Sequence, residues 1–300
     1  MKNAIKYYYN FDVTLIHRNN DEYEIYNGNK RYRLIKYEKL SIEADEKYSL
    51  QLYLQSINVY CHKIIKNVMK KIITIINEKN YIMIQMVMPN RVIKLEDIIH
   101  MSNIWLIENL KYNKKNSWQK LWKIKIDYLE YEIQRLNKKY PSIKESFDYY
   151  SGIVETCISI LENSNIKNIN KSITHERITK NTNTDYFYNP LNLVIDNRTR
   201  DIGEYLKSEI YNYEYDILKI EEYIEDNMLT AEEKILLLTR ILYPSKYLDA
   251  CEQVMSKRMT EKELLKIINS SHIQEANLKK IYTLIKKLIQ IPEVEWLERN

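Results

Sequence analysis

The chain has 300 residues and carries 46 Lys and Arg against 41 Asp and Glu, a net charge of +5. It holds 3 glycines beside 27 tyrosines and 3 phenylalanines, where an average chain is roughly 7% glycine. Gly28, Gly152 and Gly203 are far apart, which excludes a Gly-x-Gly-x-x-Gly turn and a Gly-rich P-loop, because both need backbone free of Cβ atoms against a phosphate.

The first elements have strand periods. Phe11, Val13 and Leu15 alternate with polar neighbours, as do Tyr23 and Ile25. Asn27-Gly28 then signals a type I′ hairpin, and Tyr32, Leu34 and Lys36 continue the alternation on the return strand. From Ser41, which can cap it, to Met69 the spacing turns helical, with Leu50, Leu54, Ile57, Cys61, Ile64 and Val68 three or four apart. Two apolar strands, Ile72 to Ile76 and Tyr81 to Met88, flank the polar turn Asn77–Asn80.

After Pro89 the pattern is helical. Trp118, Trp122, Ile126, Leu129, Ile133 and Leu136 form one stripe, stopped by Pro141. A further helix runs from Ser146 to Glu162, followed by an irregular Asn-rich loop from Asn163 to Asn192. Asp201-Ile-Gly-Glu204 reads as a capping box in which Asp201 caps a helix from Ile202 to Ile210. Thr230-Ala-Glu-Glu233 reads as a second box, opening a helix that Pro244 ends. The tail from Glu261 to Gln290 is amphipathic, with Leu264, Ile268, Leu278, Ile281, Ile285 and Leu288 inward. The division expected is 1–88, a lobe of five strands and one helix, and 89–300, a helical lobe.

Such a length suffices for one large core or two lobes, and 45% apolar with 29% charged residues is a globular composition. The +5 is spread along the chain, so nucleic acid is not an expected partner. Cys61, Cys157 and Cys251 are odd in number and unpaired in spacing, and the five histidines lack metal-ligand spacing. No signal-peptide h-region follows Met1, and the run Tyr81 to Met88 is too short to span a bilayer. Synthesis in the cytoplasm, with no transmembrane segment, is the expectation. Codon bias does not account for 27 Tyr against 3 Phe, since both use AT-rich codons. Hydroxyls that reach water at the core rim would explain the excess, and so would a tyrosine-rich assembly.

Strands, one helix and then a helical lobe is the layout of protein-kinase-like and aminoglycoside-phosphotransferase-like enzymes: α+β and two-lobed, with a small antiparallel-sheet N-lobe and a large mainly helical C-lobe. Phosphoryl transfer on that layout needs a loop over the phosphates, a strand lysine paired with a helix glutamate, a catalytic Asp and a metal-binding Asp. Lys36 sits late in the third strand, and Glu43 or Glu46 could face it; with Asp196 they are the vestigial cofactor-binding positions. The phosphate loop would be Ile16 to Glu22, which has no glycine and carries Asp21 and Glu22. The catalytic loop is Thr174-His-Glu-Arg-Ile178, where an active phosphotransferase would read His-Gly-Asp. Glu176 replaces the Gly, and Arg177 stands for the Asp, so His175, Glu176 and Arg177 form a degenerate loop: a guanidinium with pKa above 12 cannot take up the substrate's hydroxyl proton. Asp196, ending an apolar strand, is the metal-Asp position, with turn formation as its other reading.

Trp118-Gln-Lys-Leu-Trp-Lys-Ile-Lys-Ile-Asp-Tyr-Leu-Glu130 resembles the Trp-rich helix of the YutH/CotS family of kinase-like spore coat proteins. Phe147–Glu155, Thr174–Thr179, Val194–Leu206, Arg240–Tyr247 and Ile291–Leu297 are similar, in order, to further segments of that family. Asp148, Asn197 and Gly203 depart from it, standing where Pro, His and Ala are usual. The resemblance implies a kinase-like fold recruited as a coat or coat-assembly protein, in the mother-cell cytoplasm and then the spore coat, with other coat proteins as partners. On this reading the chain is a pseudokinase without cofactor, and Asp201, Trp118 and Trp122 are structural. The alternative is an ATP- and Mg-dependent phosphotransferase acting on a small molecule or a coat protein.

Overall fold

The structure, a computed structural model, describes residues 1–104, 117–136, 139–164, 166, 171–213 and 215–298. In chain order the first elements are α1 (Lys2–Tyr9), β1 (Leu15–Asn19), β2 (Glu22–Asn27), β3 (Lys30–Lys36), α2 (Ser41–Ser56), β4 (Lys63–Ile65), β5 (Ile73–Ile76), β6 (Lys79–Met86) and α3 (Leu95–Ser102). There follow α4 (Trp118–Leu136), α5 (Pro141–Asn163), β7 (Lys171–His175), α6 (Thr184–Phe187), β8 (Leu193–Asn197) and α7 (Thr199–Lys207). The rest is helical: α8 (Leu218–Asp226), α9 (Ala231–Leu242), α10 (Ser245–Met255), α11 (Glu261–Asn269), α12 (Ser271–Leu288) and α13 (Glu295–Glu298). The chain divides into two compact units, Met1–Asn113 with Ile173–Ile195, and Lys114–Ser172 with Asp196–Asn300. The first unit thus extends past residue 88, where the sequence division was drawn, and takes in a later segment.

In the first unit all strand pairs of the main sheet are antiparallel, in the order β1-β2-β3-β6-β4. Strand β5 shares the far edge of β6 with β4: β4 faces Gln85–Met83 and β5 faces Ile82–Lys79. Both faces of β6 are buried, which is why it reads as an unbroken apolar run. Tyr81 and Met83 join Ile5, Tyr9, Ile25 and Leu34 on one side. Ile82, Ile84 and Met86 join Ala44, Ile64 and Ile72 on the other, the period of two expected of a strand. Helix α1 covers the first face through Ile5 and Tyr9, one turn apart, and ends at Asn10 with φ 53°.

Several local expectations change. The sheet has six strands, since the helix expected to reach Met69 ends at Ser56 and β4 follows. Asn58, at φ 58°, turns the chain there. The turn between β2 and β3 has Gly28 and Asn29 at its centre, and only Gly28 takes positive φ, the requirement of type II′. The two-positive-φ pattern of type I′ occurs instead at Asn77 and Glu78, between β5 and β6. The stretch expected as an Asn-rich loop contains β7, α6 and a 3-10 turn at Pro190–Asn192, although residues 165 and 167–170 lie outside those described. The tail is two helices divided at Ser270; Ile268 is half-buried and Leu288 is 40% exposed. Cys61, Cys157 and Cys251 are free and buried. No helix among the described residues is long and apolar enough to cross a membrane.

His62, just before β4, is fully buried in the first unit. Its Nε2–H donates to the Thr184 carbonyl at 3.2 Å, and its Nδ1 accepts from the Val87 N–H at 3.1 Å. Burial pulls its pKa down from 6.5 to about 4; Arg31 and Arg33 add to the fall, while Asp185 and the bond to Thr184 oppose it. The unfolded ring protonates near pH 6.5 and the folded one only near pH 4, so the unfolded state binds more protons between them. Stability is therefore full above pH 6.5 and falls as pH drops to 4, by about 3 kcal/mol. Denaturant unfolding of wild type and His62→Gln across that range measures it. The variant should lack this part of the slope.

Candidate functional site

The strand lysine does not meet a helix glutamate. Lys36, ending β3, pairs with Glu38 at 2.6 Å and with Asp21 at 3.3 Å. The segment expected to cover phosphates is β1 and the two-residue turn Asn20-Asp21, and Asp21 also meets Lys79 at 3.4 Å. Glu43 and Glu46 flank the buried stripe of α2, formed by Ala44, Leu50, Gln51 and Leu54. The charged residue that falls on that stripe is Lys47, three positions beyond Ala44 and four before Gln51. Its ammonium donates to the Leu193 carbonyl and lies 3.9 Å from Glu176. Burial first, then the carboxylates of Glu43, Glu176, Glu46 and Asp45, push the Tyr37 hydroxyl up to about 12.

In the loop after β7, His175 is fully buried and stacks on Phe187 with centroids 4.2 Å apart. Its Nε2–H donates to the Phe187 carbonyl at 2.7 Å. Glu176 donates its amide to the Asn192 carbonyl at 2.9 Å, and its carboxylate lies 2.5 Å from the Lys39 ammonium. Arg177 is exposed. The Glu176 carboxylate thus lies between two lysine ammonium groups, Lys39 and Lys47, and Arg177 follows it in the loop.

The second unit holds Asp196, at the end of β8. Its Oδ2 accepts from the Trp118 indole N–H at 3.0 Å and meets the Arg200 guanidinium at 2.5 Å, while Oδ1 accepts from the Asn197 amide at 2.8 Å. Burial alone would raise its pKa; the Arg200 charge and the Trp118 bond outweigh it and hold the carboxyl below its usual range. Sequence spacing could have found Arg200, four residues on. Trp118, 78 residues away in sequence, had no local signal. Arg240 lies over the Trp118 ring, 5.0 Å from its centroid, and Trp122 stacks on Tyr243 at 4.3 Å.

Arg240 and Lys207 both pair with Glu204, at 2.6 and 2.8 Å. Burial pushes the Glu204 carboxyl upward, but the two cations more than offset it, bringing it from 4.5 to about 2. The expected capping role of Asp201 does not hold. Helix α7 begins at Thr199, and Asn197 Oδ1 accepts from both the Thr199 amide at 2.8 Å and its hydroxyl at 2.6 Å. Asp201 is a buried residue of the first turn. The Thr230–Glu233 box does form, with the Thr230 hydroxyl accepting from the Glu233 amide at 3.2 Å.

Gly203 sits under Arg240: a Cβ there would lie 2.9 Å from Arg240 Cγ and 3.1 Å from its Cβ. These are stem atoms, which move only by displacing the guanidinium from Glu204. In an open helix Gly→Ala gains up to about 1 kcal/mol. Gly203→Ala is expected to reverse that sign and destabilise by about 1–3 kcal/mol, the range of overpacking, in urea unfolding.

Among the described residues no three His, Cys, Asp or Glu side chains cluster to hold a metal ion. The fold is kinase-like. An aminoglycoside phosphotransferase from Alicyclobacillus acidocaldarius superposes with a TM-score of 0.65 at 8% identity, over 92% of this chain and 94% of that one. The AMP-bound spectinomycin phosphotransferase superposes at 0.60 and 12% identity, over 94% and 96%. At the sequence level, the endospore coat-associated protein YutH of Bacillus subtilis (strain 168) is 26% identical over 209 residues, which are 61% of this chain and 62% of that relative. The family described as "Spore coat putative kinase YutH" matches residues 2–281, and the chain belongs to it.

Proposed function

We propose that the chain is a spore coat or coat-assembly protein, a kinase-like scaffold that binds other coat components during sporulation without transferring phosphate. It would be made in the mother-cell cytoplasm and then join the coat. The family and the endospore coat-associated relative support the coat role. The observation that carries the inactive reading is Asp196: its carboxylate is already held by Trp118 and Arg200, so a fixed guanidinium occupies its field. Lys36, bound to Asp21 and Glu38, and Arg177 at the base position agree with it. The residues present therefore do not fit a Mg–ATP centre.

Two measurements test the reading. A fluorescent fusion in a sporulating host should form a shell around the forespore; a signal that stays diffuse in the mother cell counts against a coat role. Incubation with labelled ATP, Mg²⁺ and coat extract should transfer no phosphate. Transfer that disappears in Asp196→Ala would establish the phosphotransferase alternative, on a small molecule or a coat protein.

A further inference from the structure

A cavity of about 330 Å³ opens within the first unit, between the first turns of α2 and the turn joining β4 to β5. Ser41 and Asp45 line it from the helix, and Lys66, Lys70 and Lys71 from the turn, above the buried side chain of Ile72. Three ammonium groups thus share one concavity with a single carboxylate. None of the three is in an ion pair among the described residues; Lys66 rests over the Tyr48 ring at 4.2 Å. All three lysines are solvent-exposed, so their ammonium groups are open to an incoming ligand and no carboxylate among the described residues neutralises them by an ion pair.

The backbone that carries these lysines is fixed. Asn67, 6% exposed, accepts from the amides of Met69 and Lys71, both at 3.0 Å, and donates to the Thr74 hydroxyl at 3.1 Å. The turn therefore holds the Cα positions of these exposed lysines together at the cavity. Helix α2, 16 residues long, has no side-chain cap at its start, so first-turn amides remain as donors there, with Glu43 in the same turn offsetting part of the helix-end potential.

We propose that this cavity is a binding site for a phosphoryl-bearing anion. Three ammonium donors from one side and a helix start from the other suit a tetrahedral dianion with three or more acceptor oxygens. A carboxylate offers two oxygens and one charge, and Asp45 on the rim already opposes it. The ligand class is a phosphate group, supplied either by a free oligophosphate or by a phosphorylated side chain. The site is independent of the Asp196 region and of any phosphoryl transfer.

The test is isothermal titration at constant ionic strength with tripolyphosphate, orthophosphate, and a phosphoserine peptide beside its unphosphorylated form. At least one phosphate ligand should bind the wild type. The triple variant Lys66→Gln/Lys70→Gln/Lys71→Gln should bind it at least about tenfold more weakly. Asp45→Asn should bind a few-fold more tightly, and Lys30→Gln, an exposed lysine elsewhere in the unit, should bind as wild type. Preference for tripolyphosphate assigns the site to a free anion, and preference for the phosphopeptide over its unphosphorylated form assigns it to a modified protein; both support it. No binding by wild type at millimolar ligand, or equal binding by the triple variant with an unchanged melting curve, would overturn it. Coat localisation and ATP turnover are read separately, so a failure here leaves the coat reading standing.

Discussion

Glu204→Gln is expected to lower stability by about 3–5 kcal/mol, the cost of leaving buried charge uncompensated. Two cations depend on this one carboxylate, Lys207 at 2.8 Å and Arg240 at 2.6 Å. Burial already pulls both below their usual ranges, with Glu204 as the opposing influence. Lys207 has two further acceptors, the Arg240 and Tyr243 carbonyls at 3.1 and 3.3 Å, and these dipoles do not neutralise its charge. A glutamine keeps the shape but supplies no charge, and its amide group would face one of the two cations. Urea unfolding at pH 7 reads the loss. Adding Lys207→Met, which removes one cation and keeps the stem, should recover part of it. A Glu204→Gln variant within about 1 kcal/mol of wild type would mean that water reaches the cluster and screens it.

This cluster also marks how far the sequence could be read. The stripe of α4 was legible because Trp118, Trp122, Ile126 and Leu129 are buried at the spacing of a helix. So was the Thr230 box, since its signal is confined to four residues. Strands β2, β3 and β6 were legible for the same reason: period and turn chemistry lie within a few residues. Strand β4 was not. Cys61, Ile64 and Val68 prolong the helical spacing of Leu54 and Ile57, and the only local stop is Asn58. Asp201 shows the limit at finer scale: an acidic residue before an apolar run read as a cap, while the helix starts at Thr199, whose amide donates to the Asn197 side chain just before it.

At the expected site, residue types were readable in the sequence: Arg177 cannot be a base wherever it sits. The local partners, Glu38 for Lys36 and Arg200 for Asp196, lie within reach of a spacing argument, whereas the remote ones were not readable: Trp118 for Asp196, Asp21 for Lys36, Lys47 and Lys39 for Glu176. Tyrosine follows the same logic. Tyr9 and Tyr247 place their hydroxyls on Thr74 and Ser146 at 2.8 and 2.7 Å inside the core, partners 65 and 101 residues away. For these two the hydroxyl has a hydrogen-bonding use that phenylalanine would leave unmet.

The second large effect is expected at Glu233, which joins α9 to the start of α7. Its two oxygens take the Arg198 guanidinium in a fork, Nε to Oε1 at 2.6 Å and a terminal nitrogen to Oε2 at 2.7 Å. Oε2 also accepts from the Thr230 amide at 3.1 Å, so one side chain serves an ion pair and a capping box. Glu233 is 2% exposed and Arg198 8%. The capping share can be isolated: Thr230→Ala should cost about 1 kcal/mol. Glu233→Ala should cost about 3–5 kcal/mol, because the Arg198 charge stays buried without its carboxylate. If charge is the cause, removing the arginine as well should help, and Arg198→Met/Glu233→Ala should be more stable than Glu233→Ala alone. Wild type, Arg198→Met, Glu233→Ala and the double variant form a double-mutant cycle read by urea unfolding. Costs that simply add would mean the pair is screened by water, and that Glu233 acts through the cap and its packing. Strong coupling places the energy in the fork that ties the turn after β8 to the body of the helical unit. Asp196 lies two residues before Arg198, at the end of β8, so the same fork fixes the backbone beside which Asp196 meets Trp118 and Arg200.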